Sequence, residues 1–324
     1  MNRRELLIAA ATPVAALTLP ASAYGAAQGG TPLALVTADS EDRVLVVRLT
    51  DMKVVRSLTV PNQPHGIEAV DLERSALVLS SASGTITVLD AVRPRVRKVL
   101  EGFSAPRYAT GDPRGGYAYV SDDEAGQLIA IDVPRAKVIG RVEVGKGARH
   151  LSSSLTGTQV VVSLGAKAPR LAVVDVSRPA RPRLVRTFAA DDLAHDVAFS
   201  PDGLHIWISS GVDRRVAVHD ALTMRRLRSL PGDLAPQHVT FDEVGKRVYV
   251  ASGESGTLRT YRLADAKLLG TRSIPAGSYN VCAQAGRLVT PSLDVGTLTL
   301  LDARGLRSVR IAPNAHDACM VAGV

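Results

Sequence analysis

A chain of 324 residues that is 46% hydrophobic and 22% charged has the length and balance for a large folded core, which excludes a disordered segment. Its formal charge of +8 is dispersed and only 4% of residues are aromatic, so the interleaved basic and aromatic face that would bind nucleic acid is missing. Two cysteines exclude a disulfide framework, and the lack of a Cys-x-x-Cys-His stretch excludes a covalently attached c-type haem.

The chain opens Met1-Asn2-Arg3-Arg4-Glu5, followed by an apolar run from Leu6 to Leu19 and by the small residues Ala21-Ser22-Ala23. Residues 1–26 are therefore read as a cleavable export signal. The Arg3-Arg4 pair resembles a twin-arginine signal, from which Asn2 and Leu6 depart; an ordinary Sec signal is the alternative. Fourteen residues interrupted by Pro13 are too few for a permanent membrane span. An exported protein, periplasmic or extracellular, is expected, with residues 27–32 as a short linker.

From residue 33 to 324 one unit recurs. Its fullest copy is AHDVAFSPDGLHIWISSGVDRRVAVHD, residues 194–220: a strand, a Ser-Pro-Asp-Gly turn, a second strand, a polar loop and a third strand. Val36, Leu79, Val120, Val162, Ile208, Val250 and Thr290 are equivalent across copies, with spacings of 43, 41, 42, 46, 42 and 40 residues. A fourth strand follows each copy, as in KVVRSLTV and AKVIGRVEV. A period near forty with four short strands predicts an all-β, seven-bladed β-propeller with four-stranded blades. The first copy begins at its second strand, Leu33, and its missing first strand reappears at residues 316–321. The ring is therefore expected to close by the C-terminal strand joining three N-terminal strands.

Arg247-Val248-Tyr249-Val250-Ala251-Ser252, Tyr119-Val120-Ser121 and Ser200-Pro201-Asp202-Gly203 resemble the YVTN-type repeats of bacterial exported β-propellers, and Leu171-Ala172-Val173-Val174-Asp175 resembles the LVIVD repeat. The resemblance spans residues 33–324 and implies the fold. Relatives of this kind include lactonases, haem-d1-type domains and proteins of unknown role, so it implies no catalytic residue.

Aligning the first strands places His65, Arg107, Arg149, His195, Gln237, Tyr279 and His316 in one column, and Gly66, Tyr108, His150, Asp196, His238, Asn280 and Asp317 in the next. Five of the seven histidines fall in these fourteen positions, which makes them the candidate site at the mouth of a central channel. His65, Arg107, Arg149, His150, His195, Asp196, His238, His316 and Asp317 are the candidate ligand-binding residues. A transition metal is the candidate cofactor, held by His65, His195 and His316, because neutral imidazole is a common metal ligand. Strand alternation would turn His150 and His238 toward a neighbouring blade. Arg107 and Arg149 favour a carboxylate or phosphate. The plain alternative is that these polar groups brace one blade against the next.

Cys282 and Cys319 share a column and form a disulfide candidate, with two buried thiols, or thiolates on a metal, as alternatives. Asp90, Asp132, Asp175, Asp220 and Asp302 recur at third-strand ends, where they are expected to cap turns. Gly84, Gly126, Gly256 and Gly296 share a loop position suited to positive φ. Trp207 is expected to pack between blades. No phosphate loop, Gly-x-Ser-x-Gly elbow or His-Glu-x-x-His motif occurs. The expected function is a monomeric module that binds a small molecule, cofactor or protein partner through its channel mouth. A lactonase-like hydrolase on the same residues and a structural scaffold are the alternatives.

Overall fold

The computed structural model describes residues 30–324 apart from residue 236, and only the backbone of residues 191 and 192. The expected export signal at residues 1–26 lies outside the described residues. Among the described residues all regular structure is β apart from one 3-10 turn, Asp39–Glu41, and no helix is long and apolar enough to cross a membrane.

Strands β1 (Thr31–Ala38), β2 (Arg43–Arg48) and β3 (Lys53–Thr59) share a sheet with the last strand of the chain. A second sheet holds β4 (Pro64–Val70), β5 (Ser75–Ser80), β6 (Thr85–Asp90) and β7 (Arg95–Leu100), and a third holds β8 (Pro106–Gly111), β9 (Tyr117–Asp122), β10 (Gln127–Asp132) and β11 (Lys137–Glu143). Then come β12 (Ala148–Ser153), β13 (Gln159–Leu164), β14 (Ala168–Asp175), β15 (Arg183–Phe199), β16 (His205–Ser210), β17 (Arg215–Asp220) and β18 (Arg226–Pro231). These seven strands are hydrogen-bonded continuously because β15 is long: residues 183–189 pair with β14, and residues 194–199 pair with β16. Two four-stranded units thus share one strand. The last two sheets are β19 (Gln237–Asp242), β20 (Arg247–Ser252), β21 (Thr257–Arg262) and β22 (Leu268–Ser273), then β23 (Cys282–Gln284), β24 (Arg287–Pro291), β25 (Thr297–Asp302) and β26 (Gly305–Arg310). Strand β27 (Ala318–Gly323) pairs antiparallel with β1, from Thr31 opposite Gly323 to Val36 opposite Ala318. Thr31 and Pro32, expected in a linker, already belong to the ladder.

Local chemistry accounts for these elements. The second and third strands are runs of Val, Ile, Leu and Ala, such as QVVVSL and TITVLD, and are buried almost throughout. All seven residues used to define the repeat are buried. In the Ser-Pro-Asp-Gly turn Gly203 sits at φ +70° and donates its N–H to Ser200 O at 2.9 Å, while Asp202 Oδ1 accepts from Leu204 N. The third-strand aspartates cap the turns that follow: Asp90, Asp132, Asp175, Asp220 and Asp302 each accept a backbone N–H two or three residues on. Gly84, Gly126, Gly256 and Gly296 have φ between +59° and +71°.

Seven apolar clusters fill the spaces between consecutive four-stranded units, one per interface. Trp207, fully buried, packs against Phe241 and Tyr261 of the next unit. The inner strands β27, β4, β8, β12, β15, β19 and β23 each touch the next in that order, and β23 touches β27. Their N-terminal ends carry the two residue columns that hold the histidines.

Candidate functional site

Irregular pairing at the start of four inner strands aims the site residues. Register shifts occur between Pro64 and Gly66, Pro106 and Ala109, Ala148 and Leu151, and Ala194 and Val197. His65, Arg107, Tyr108, Arg149, His150, His195 and Asp196 therefore sit where the ladder is interrupted, and a bulge of this kind re-aims side chains. Strict alternation does not hold there. The structure corrects the expectation that His150 faces away from His195: their rings lie 4.4 Å apart, and those of His195 and His238 lie 5.0 Å apart. Gly66 keeps its place in the second column free, because a Cβ there would lie 2.7 Å from Arg107 O.

Two clusters form. In the first, one ring nitrogen from each of His150, His195 and His238 lies within 4.8 Å of the others. His195 Nδ1 donates to Ala166 O at 2.8 Å, which leaves Nε2 with its lone pair, and Nε2 stands 3.3 Å from His238 Nε2. Both nitrogens of His150 are buried without a hydrogen-bond partner. Tyr108 stacks on His150 with ring centres 3.9 Å apart. In the second cluster His316 Nδ1 donates to Asp39 Oδ2 at 3.1 Å, and the His65 ring meets His316 edge-on at 3.9 Å. The predicted metal set of His65, His195 and His316 is therefore not assembled. His195 belongs with His150 and His238, while His65 and His316 form a separate pair.

Arg149 is anchored by Asp123 Oδ2 at 3.1 Å, whereas Arg107 has no carboxylate within ion-pair distance among the described residues. The Nε atoms of both arginines are buried and unpaired. Burial, then the neighbouring histidines, and after them the arginine charge hold His65, His150, His195 and His238 neutral. Burial is the larger cause in each case: it pushes His65 down to about 2, His238 to about 3 and His195 to about 4, with His150 well below its ordinary value. Asp39 is lowered by its hydrogen bond from His316.

Asp196 and Asp317 brace the fold instead of facing a ligand. Asp196 accepts from Val197 N at 2.8 Å and from Val239 N of the neighbouring unit at 2.9 Å. Asp317 repeats this on Ala318 N and Ile67 N, at 2.8 and 3.0 Å. Thr110, Ser152 and Thr240, two residues below the second column, likewise accept from Ser153, Phe199 and Ala283 of the following strand. Asp317→Ala should leave two inner N–H groups without acceptors and cost about 1–3 kcal/mol in urea unfolding; an unchanged midpoint would remove the bracing role.

Further along the inner strands Glu68 is pushed up to about 8, by burial first and by Asp317 second, and Asp317 to about 6 by burial. Cys282 and Cys319 are free thiols, which corrects the disulfide expectation. Alternation along β27 turns Cys319 into the cluster beside β4–β6, while Cys282 packs on the cluster at the opposite face. Burial raises Cys282 to about 12, so neither a thiolate nucleophile nor a thiolate ligand is favoured there.

Asp39, Asp123 and the Ala166 carbonyl were not among the sequence candidates. All three lie in loops that follow second strands, at corresponding places in different repeats, so aligning these loops as the first strands were aligned would have raised the two aspartates. Tyr108 was in the second column without an assigned role. An open cleft of about 720 Å³ lined by Asp242, Arg247, Thr260, Arg272 and Asp302 contains none of the histidines.

No family model and no curated protein matches the chain. Solved structures do. A protein of unknown function from Desulfotomaculum acetoxidans superposes with a TM-score of 0.79 at 11% identity, over 90% of this chain and 99% of that one. Hydrazine synthase of Kuenenia stuttgartiensis gives 0.67 at 17% identity, over 86% and 92%. The dihydro-heme d1 dehydrogenase NirN, in complex with DHE, gives 0.64 at 17% identity, over 87% of this chain and 64% of its own. The chain has a propeller-like all-β fold. At these identities the likeness extends to the fold and no further.

Proposed function

We propose that this protein is a closed seven-bladed β-propeller of the YVTN type whose centre binds a small anionic ligand carrying carboxylate or phosphate groups. The cyclic order of contacts among inner strands supports the closed ring. The observation that carries the ligand reading is that Arg107 and Arg149 both bear on His65 and Tyr108, with both guanidinium Nε atoms buried and unpaired. A buried N–H without an acceptor costs free energy that an anion would recover as charge-assisted hydrogen bonds. Arg149 is paired with Asp123, so Arg107 supplies the uncompensated positive charge of the site. NirN, whose fold is similar, is seen with the small molecule DHE; a ligand at the propeller centre is the corresponding proposal here. On the leader-like residues 1–26 we place the protein outside the cytoplasm.

Calorimetric titration of the metal-free protein with inorganic phosphate, malonate and succinate tests this reading. At least one should bind, and Arg107→Ala should weaken it about 10–100-fold, the equivalent of roughly 1.5–3 kcal/mol for a charged hydrogen bond. Equal binding by Arg107→Ala and Arg149→Ala would overturn it.

One observation favours a second reading. Asp39 orients His316 through Nδ1, leaving Nε2 able to accept a proton, which is the base arrangement of a lactonase-like hydrolase. Turnover of a lactone panel lost in His316→Ala would establish that activity, and an inert wild type would dismiss it.

A further inference from the structure

We propose that His150, His195 and His238 form a three-imidazole site for a divalent transition metal of the Zn²⁺ or Cu²⁺ class, with a fourth position left for an exogenous ligand. The ion's site stands independently of the anion reading above; only the identity of the fourth ligand rests on it.

Three observations carry the assignment. One ring nitrogen from each histidine falls within a 4.8 Å circle formed by three separate inner strands. The Nε2 atoms of His195 and His238 are 3.3 Å apart, which is the separation two ligands take in a tetrahedral site with metal–nitrogen bonds of ~2.0–2.1 Å. His150 is 3% exposed, and both its nitrogens lack a partner, one of them turned into the cluster. A buried imidazole with two unused nitrogens is costly, and coordination is the one interaction that uses its lone pair and those of its two neighbours together.

The surroundings suit a metal in one further respect. The Ala166 carbonyl holds His195 in the tautomer whose Nε2 lone pair points into the cluster, an outer-shell device common at metal histidines. The Arg149 guanidinium, which bears on all three rings, opposes a bare dication. An anionic fourth ligand removes that conflict, since it neutralises charge on the metal and can accept a hydrogen bond from Arg149. Nitrogen-only ligation selects against Mg²⁺ and Ca²⁺, which take oxygen ligands.

The full chain, prepared without a histidine tag and dialysed against EDTA, should be titrated with Zn²⁺ by calorimetry and with Co²⁺ by visible absorption. One ion per chain is expected, with the intense bands of low-coordinate Co²⁺. His150→Ala should weaken Zn²⁺ binding by more than the roughly 10–100-fold that outer-shell changes cost, whereas His205→Ala, outside both first-strand columns, should leave it unchanged. Melting of His150→Ala in EDTA should match the wild type, which separates lost coordination from lost fold. If it does not, His238→Gln, which retains a polar side chain of similar size, serves as the second variant. No binding by the wild type, or equal binding by His150→Ala and His238→Gln, overturns the site. Retention of phosphate or malonate binding by the metal-free protein would show that the anion reading survives that failure.

Discussion

A chain ending at residue 315 should lose its cooperative unfolding transition and accumulate as insoluble protein. Residues 316–324 look like a tail in sequence, but Ala318 and Met320 enter the apolar cluster shared with β24 and β25, and Cys319 and Val321 enter the one shared with β4–β6. Burial of one Met and one Val is worth about 1.5–3 kcal/mol each. Six ladder positions opposite β1, the Asp317 bond to Ile67 and the His316 bond to Asp39 would be lost with them. The total is on the order of the ~5–15 kcal/mol that stabilises a typical domain. Deletion would also expose β1 as a flat apolar edge, which invites intermolecular pairing. Thermal melts followed by circular dichroism check this, together with rescue by a synthetic peptide of residues 316–324 supplied in trans. A truncated protein that melts cooperatively within a few degrees of the full chain would show that β27 does not hold the fold together.

Acid should destabilise the metal-free protein well above the carboxylate range. The unfolded histidines titrate near 6.5, whereas in the fold His195 takes up its proton only near 4, His238 near 3, His65 near 2 and His150 well below 6.5. Each of these bases is depressed, so its contribution is present above pH 6.5 and lost as pH falls toward the folded value. Raised acids act in the opposite direction. Glu68, raised to about 8, and Asp317, raised to about 6, with Asp196 and Glu73 also raised by burial, keep protons in the fold that the unfolded chain has released, so their effect lowers stability as pH rises. Between pH 6 and pH 4.5 the unfolded state still binds a net of about one to two more protons, which corresponds to about 1.5–3 kcal/mol per pH unit. Urea unfolding in EDTA at pH 6, 5.25 and 4.5 should follow that slope, and His150→Gln should reduce it by about one proton. A stability that stays flat from pH 6 to 4.5 would mean that the imidazoles are not held neutral.

The strand pattern is legible in the sequence because every step of it is local. Ser-Pro-Asp-Gly makes its own turn, Asp220 caps the turn that follows it, and VAVHD alternates without help from distant residues. Repetition multiplies that local signal: periodicity alone brings five histidines and two arginines into two columns of the first strands. The grouping within the columns is not legible there. It depends on the interrupted pairing at Ala148 to Leu151 and at Ala194 to Val197, which turns His150 and His195 toward one another. Such a bulge is fixed by how two strands meet, and no residue of either strand announces it. Asp39 and Asp123 are hidden in the sequence for a related reason. Each lies apart in the chain from the histidine or arginine it holds, 277 residues from His316 and 26 from Arg149; the pairing of β27 with β1 brings the first pair together, and the packing of one four-stranded unit on the next brings the second. The sequence by itself thus determined the antiparallel strands, their turns and the residues that reach the centre; tertiary packing decided which of them meet, because meeting depends on register between strands that the chain joins only at a distance.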